Sequence, residues 1–461
     1  MTNQDGQDRV DTVIQEAIDR DNIVESLFSL RDILHLLAEA SPSTIIDCFE
    51  LLSSRDSEQE LLERFFEKDS IMFLDNSHYL FQALKIIAWD QNYFARVVKI
   101  LFKLTKIKFC KQDCLETLHS LFLGWFHNTS TSHNQRVALL ENLYINNSEI
   151  VWNILCGILP SGYEANLGFS CPKHRDWCDG IDFNSMEVPK EYFAYIEEAT
   201  KLILQYADNL AKSFYCVSTL LLRINNKYQL DFVNKLEIYL PTANSQEKFE
   251  IKQKIIKQIS DAREFNWDIS DECIDQMQKL VENIHFDDPI YENLHLFQEY
   301  HWDEKKRKQA HTQRLQAIKN MLHQTEVDNI FTLIRKANSA VCPEIGNILH
   351  EINHQQFEVK MLEWLVSDIK NEQLCARDFF FRNIDALLQD KTVLKTITAQ
   401  QRVELFKIGN INNVNLKTLK EQNLDEQRQY WESFGIYSKC DMETIPSIFY
   451  TLISFDIADF K

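Results

Sequence analysis

Glycine and proline set the turns of a chain, and this sequence uses almost none of either. It holds 9 Gly and 8 Pro in 461 residues, each about 2% of the chain against typical usage of about 7% and 5%. Strand-rich and doubly wound folds place these residues at frequent tight turns. A chain so poor in both is built most simply from long helices joined by short polar connections.

The spacing of apolar residues agrees. Over 24–39 they are Val24, Leu27, Phe28, Leu30, Ile33, Leu34, Leu36 and Leu37, a stripe of helical period. Ser41-Pro42 closes that helix and opens the next, with proline at an early helical position. The same periodicity predicts helices near 58–67, 77–89, 91–106, 112–126, 133–146 and 148–159. It continues near 188–206, 209–225, 229–240, 245–262, 270–283, 289–299, 303–322 and 326–338, then 343–353, 355–369, 371–388, 398–407 and, with breaks, 425–458. Connectors of a few polar residues, such as Asp90-Gln91 and Asn146-Asn147-Ser148, make neighbouring helices antiparallel. No segment alternates as a strand does.

Helix pairs return about every 30–45 residues without an exact repeat, the spacing of helical-hairpin arrays. The expected fold is therefore all-α, a degenerate TPR/HEAT-like helical-hairpin solenoid in two lobes. Residues 161–186 break the pattern with Gly162, Gly168, Pro172 and Gly180. They are expected to form a long ordered loop joining a lobe at 1–160 to a lobe at 187–461.

The balance of 69 acidic against 49 basic residues, a net charge of −20, argues against nucleic acid as a partner, because such binding rests on phosphate neutralisation. Lys305-Lys306-Arg307-Lys308 is expected to be a solvated helix face. The 11 Cys are scattered, and Cys48, Cys156, Cys216 and Cys375 sit in apolar runs, the habit of free thiols in a reducing compartment. Met1-Thr2-Asn3-Gln4-Asp5 carries no basic or apolar leader, and no stretch approaches 18 apolar residues. A cytoplasmic location without a membrane span is expected.

The sharpest catalytic candidate is His350-Glu351-Ile352-Asn353-His354. H-E-x-x-H holds zinc between two His one turn apart while the Glu activates water, and Glu372 is a possible third ligand. Ile345, Ile348, Leu349 and Ile352 form the apolar stripe of this helix, which puts His350 and His354 on its wet face. No strand is predicted to hold a peptide substrate, so surface imidazoles are the favoured reading. Cys171-Pro172-Lys173-His174-Arg175-Asp176-Trp177-Cys178 brings two Cys and one His together, but a structural zinc needs a fourth ligand, and the nearest further Cys is Cys156. The alternative there is a Trp-anchored loop in which Arg175 and Asp176 make ion pairs or helix-end contacts. Cys110 and Cys114 look like a helix entry. No Gly is followed by Lys, so the P-loop pattern is absent, and neither G-x-S-x-G nor G-x-G-x-x-G occurs. No cofactor is expected. Trp89, Tyr93, Phe94, Trp125, Phe126, Trp152, Trp177, Trp267 and Trp302 are read mostly as core, with some available to a concave recognition surface.

Several segments in order carry a resemblance: Ala83 to Trp89; Tyr93 to Leu104; Leu118 to Leu143 with Gly124-Trp125-Phe126-His127-Asn128-Thr129 and Gln135-Arg136; Val151 to Pro160; Pro172 to Trp177; Arg263-Glu264-Phe265-Asn266-Trp267; Asp287-Asp288-Pro289-Ile290; Leu296-Phe297; and Pro343-Glu344-Ile345-Gly346. Across roughly 25–380 this order resembles the C-terminal helical region of large bacterial STAND-type NTPases of antiviral defence, whose helical array is the sensor. The resemblance implies recognition of a foreign protein, such as a phage component, by shape. It carries over no catalytic residue, since the family's NTPase motif has no counterpart here. That departure leaves two expectations open: one piece of a split system with a separate effector or NTPase subunit, or a free-standing relative.

The expected function is thus a non-catalytic module that binds a protein partner, with His174, Arg175, Asp176 and Trp177 as candidate contacts. A zinc metallopeptidase at His350, Glu351 and His354 is the competing expectation, and a structural scaffold the third.

Overall fold

The computed structural model describes residues 3–54, 62–66, 76–161, 171–181, 191–324, 326–409, 412–433, 443 and 445–454. Among them there is helix, turn and loop, and no strand. The all-α expectation therefore holds. Contacts group the chain into two compact units: Met1–Asn244 with Glu250–Ile284, and Ser245–Phe249 with His285–Lys461.

The first unit holds α1 (Asn3–Ala17), α2 (Ile23–Ser29), α3 (Leu34–Ala40), α4 (Pro42–Leu52), α5 (Ser77–Ile87), α6 (Gln91–Leu104), α7 (Lys111–Phe122), α8 (His133–Ile158), α9 (Tyr192–Tyr206), α10 (Leu210–Tyr215), α11 (Asn226–Tyr239), most of α12 (Ser245–Phe265) and α13 (Asp271–Asn283). Packing runs between helices close in sequence: α3 on α5, α4 on α6, α7 on α5, α6 and α8, α8 on α9, α9 on α11, and α11 on α13. Local stacking of this kind buries one stripe per helix against its neighbours. Val97, Val98, Leu101, Leu118, Leu155, Phe232 and Leu236 are sealed from solvent in this way.

The second unit holds α14 (Pro289–Leu294), α15 (Glu304–Gln324), α16 (Val327–Lys336), α17 (Cys342–Trp364), α18 (Lys370–Phe381), α19 (Ile384–Gln389), α20 (Lys391–Thr396), α21 (Ala399–Ile408), α22 (Asn413–Lys420), α23 (Leu424–Glu432) and α24 (Ile445–Ser454). Here α14 packs on α16, α16 on α18, α18 on α21, and α21 on α23. One continuous core runs through them, including Phe297, Ile318, Ile334, Phe357, Phe379 and Trp431. α17 and α18 pack tightly. A Cβ on Gly346 would lie 2.1 Å from the Cys375 carbonyl oxygen, so only glycine permits this separation.

The polar connectors act as helix starts. Asp90, Ser132, Asn209, Asn225 and Ser270 each accept a backbone N–H of the first turn of α6, α8, α10, α11 and α13. Asp288, Asp390, Thr398, Asn412 and Asn423 do so for α14, α20, α21, α22 and α23. Each bond satisfies a donor that the helix itself cannot pair.

Some expectations need correction. The stripe at 24–39 is two helices broken by a 3-10 turn at Arg31–Ile33. Residues 209–225 make α10, then a π turn at Cys216–Leu220 and a 3-10 turn at Leu221–Arg223. The expected helix at 371–388 divides at Asn383, which leaves helical geometry with ψ 12°. Half of the helix at 58–67 falls outside the described residues; within them, Glu63–Phe66 is a single 3-10 turn. The expected lobe junction at 161–186 lies inside the first unit, with residues on both sides of it packed together through α8 and α9. The division observed falls instead among residues 245–285.

Candidate functional site

Of the loop at 161–186, residues 161 and 171–181 are described, and their position is set by a residue far away in sequence. Glu39, in the last turn of α3, is 2% exposed. Its carboxylate accepts the backbone N–H of Lys173, at 3.0 and 3.1 Å, and of His174, at 2.6 Å. Adjacent N–H groups converging on one carboxylate form an anion nest, here occupied by the protein's own side chain. Arg175 completes the attachment. Its Nε donates to the Glu39 carbonyl at 2.6 Å, and one Nη donates to the Ala40 carbonyl and to Gln7 Oε1, each at 2.9 Å. A guanidinium on the last carbonyls of a helix satisfies acceptors the helix leaves open and suits its negative end. The same guanidinium lies 5.6 Å from the centre of the half-buried Trp177 ring, a cation–π contact.

This sorts the four candidate contacts. Arg175 is spent on α3, the helix-end role weighed from the sequence. Trp177 is half-buried beneath it, while His174 and Asp176 are exposed, as is Lys173. Ionic or hydrogen-bonding chemistry at the tip is therefore left to Lys173, His174 and Asp176. Glu39 was not foreseen: a lone Glu ending an apolar stripe gives no sign that its partner lies 134 residues on.

The segment Gly124–Arg136 looks like a second candidate, and its polar side chains are also engaged. Five consecutive carbonyls at the end of α7 each meet a side chain. Asn128 Nδ2 donates to Ser120 O at 2.7 Å, and Arg136 Nη1 donates to Leu121 O at 3.4 Å and Leu123 O at 2.8 Å. Tyr195 Oη donates to Phe122 O at 2.8 Å, and His133 Nε2 meets Gly124 O at 3.2 Å. Thr129 Oγ1 and the Ser130 N–H donate to the carbonyls of Ala88 and Trp89, beyond the end of α5. Arg136 lies over the Tyr195 ring, and His133 stacks on its side at 4.5 Å. Gly124 leaves room for that ring, since a Cβ there would fall 2.6 Å from it. Burial, then the charge of Arg136, holds His133 down to about 4. Burial also lowers Arg136 from its ordinary value. Buried donors closing helix ends are structural chemistry.

The same holds for Pro343-Glu344-Ile345-Gly346. Glu344 accepts from buried Arg314 and meets His311 Nδ1 at 3.1 Å, and Arg314 Nε in turn donates to Leu296 O at 2.8 Å.

The H-E-x-x-H pattern does not lie on one regular helix. Asn353, between the two His, has φ −164° and ψ 90° and kinks α17, so the i,i+4 face that zinc chelation uses is interrupted. Glu351 pairs with Arg382 at 2.7 Å. Glu372 is buried and pairs with Arg335 at 2.5 Å and with Ser367. His350 corrects the wet-face expectation: it is half-buried, its ring 5.5 Å from Phe379 of α18. The side chain of His354 lies outside the described residues. Among the described residues, no three His, Cys, Asp or Glu side chains gather as a metal would require, and no helix is long and apolar enough to cross a membrane.

Compared with family models, curated proteins and solved structures, the chain matches none of them.

Proposed function

We propose that this chain is a non-catalytic binding module, a degenerate TPR/HEAT-like array of helical hairpins that recognises a protein partner. We further propose that it serves as the sensor part of a bacterial antiphage defence system, with a phage protein or a separate effector or NTPase subunit as its partner. The observation that carries the reading is the attachment of residues 172–177 to α3. A loop held by a buried carboxylate and a guanidinium keeps its exposed tip in one conformation before binding. Such preorganisation lowers the ordering cost of association. Lys173, His174 and Asp176 then offer charged and hydrogen-bonding contacts beside the Trp177 ring, the kind of polar rim around an aromatic anchor that protein interfaces use. The competing zinc metallopeptidase has against it the kink at Asn353 and the commitment of Glu351 and Glu372 to arginines.

The test is recovery of the tagged full chain from phage-infected cells, beside a variant carrying His174→Ala and Asp176→Ala. Both positions are exposed, so the variant should melt as the parent does. A phage protein, or a separate effector or NTPase subunit, held in fixed ratio by the parent and lost by the variant supports the reading. Equal recovery by both, or neither kind of partner at all, overturns it.

A further inference from the structure

The described cysteines other than Cys171 and Cys178 are buried in helices or at their ends: Cys48, Cys110, Cys114, Cys156, Cys216, Cys273, Cys342 and Cys375. Cys171 and Cys178 are partly exposed, and their sulfurs lie 3.1 Å apart. A disulfide bond is about 2.05 Å long, so closure needs about 1 Å of approach. The segment between them is held by Glu39 through the Lys173 and His174 N–H groups, and successive turns follow at Cys178. Asp179 N donates to Asp176 O at 3.0 Å, and Ile181 N donates to Cys178 O at 3.2 Å. Two thiols seven residues apart, held in contact and open to solvent, are placed for oxidation rather than for packing.

We infer that Cys171 and Cys178 form a reversible disulfide that closes a ring around Pro172–Trp177, the segment seated on Glu39. The oxidant is a small-molecule disulfide such as oxidised glutathione. The Cys178 thiolate attacks one of its sulfurs, forming a mixed disulfide and releasing one glutathione thiolate, which takes up a proton. The Cys171 thiolate then attacks the Cys178 sulfur and releases the second glutathione. Two protein thiols are oxidised, and one disulfide is reduced to two thiols. Burial, together with the hydrogen bond to Cys178, raises the Cys171 thiol; with the sulfurs 3.1 Å apart, the same exchange balances with the two thiols in either order. Once closed, the ring holds the tip in place by a covalent bond in addition to the Glu39 contacts. This inference is independent of whether the loop binds a partner.

The test equilibrates the full chain with graded ratios of oxidised to reduced glutathione, traps free thiols by alkylation, and maps peptides by mass spectrometry. The expected result is a linked 171–178 peptide lacking two hydrogens, appearing at ratios that leave the buried cysteines alkylatable only after unfolding. In Cys171→Ser the mixed disulfide with glutathione should persist on Cys178. Both thiols remaining free, each carrying its own glutathione, or cross-linking to other cysteines first would overturn the inference. So would stoichiometric zinc on the reduced chain that is lost in Cys171→Ser.

Discussion

Replacing Glu39 by Gln is the most informative single change to the loop. Gln keeps the shape and one acceptor oxygen, but its amide turns two donors toward N–H groups that need acceptors. The carboxylate makes three contacts of 2.6–3.1 Å with two backbone amides. A hydrogen bond to a charged group contributes about 1.5–3 kcal/mol net. Losing one and weakening the other should cost about 2–3 kcal/mol of local stability. At about 1.4 kcal/mol per factor of ten, that is roughly a 30- to 150-fold loss of closure. Native-state hydrogen exchange of the Lys173 and His174 amides reads this directly. Both should lose protection by that factor, while amides within α6 and α7 keep theirs. Arg175 still holds the Glu39 and Ala40 carbonyls in the variant, so tryptic cleavage at Lys173 should rise before the global melt moves. Unchanged exchange at residues 173 and 174 would show that the carboxylate does not hold the loop.

Other predictions concern the helix-end closures. Tyr195→Phe removes a buried bond to the Phe122 carbonyl and should lower unfolding stability by about 1–2 kcal/mol in urea titration; no loss would deny the closure its role. His133 has a folded value of about 4 against 6.5. The unfolded chain therefore binds a proton below about pH 6.5 that the native state refuses down to about 4. Stability from this group is full above that window and is lost as pH falls through it, by about 1.4 kcal/mol between pH 7.5 and 5.5. Parent and His133→Gln should differ in their pH slopes by that amount, and equal slopes would contradict it. Gly346→Ala forces α17 away from the Cys375 carbonyl and should destabilise the second unit by about 3 kcal/mol, read as an early transition in its melt.

Much of the helical order was legible because each helix needs one apolar stripe and a polar start. Even the kinks at Asn147 and Asn353 fall where the periodicity lapsed. The first helix, α1, went unseen because its sequence is mostly polar and Ile14 is its buried apolar anchor. Residues 161–186 suggested a lobe junction because loop length says nothing about where a loop docks. Arg136 and Glu344 stood in recognisable segments and Tyr195 in a predicted helix, yet their partners are carbonyls and side chains that no linear pattern specifies. Among the segments that carried the family resemblance, Leu118–Leu143, Pro172–Trp177 and Pro343–Gly346 hold these closures and the Glu39 attachment.

We propose that this tip meets a protein. Its most direct measurement is titration calorimetry of the purified captured protein against the parent chain and against His174→Ala with Asp176→Ala. At least a tenfold weaker Kd is expected for the variant, with its melting curve unchanged. Equal affinity for both chains would place recognition elsewhere on the molecule and contradict the claim.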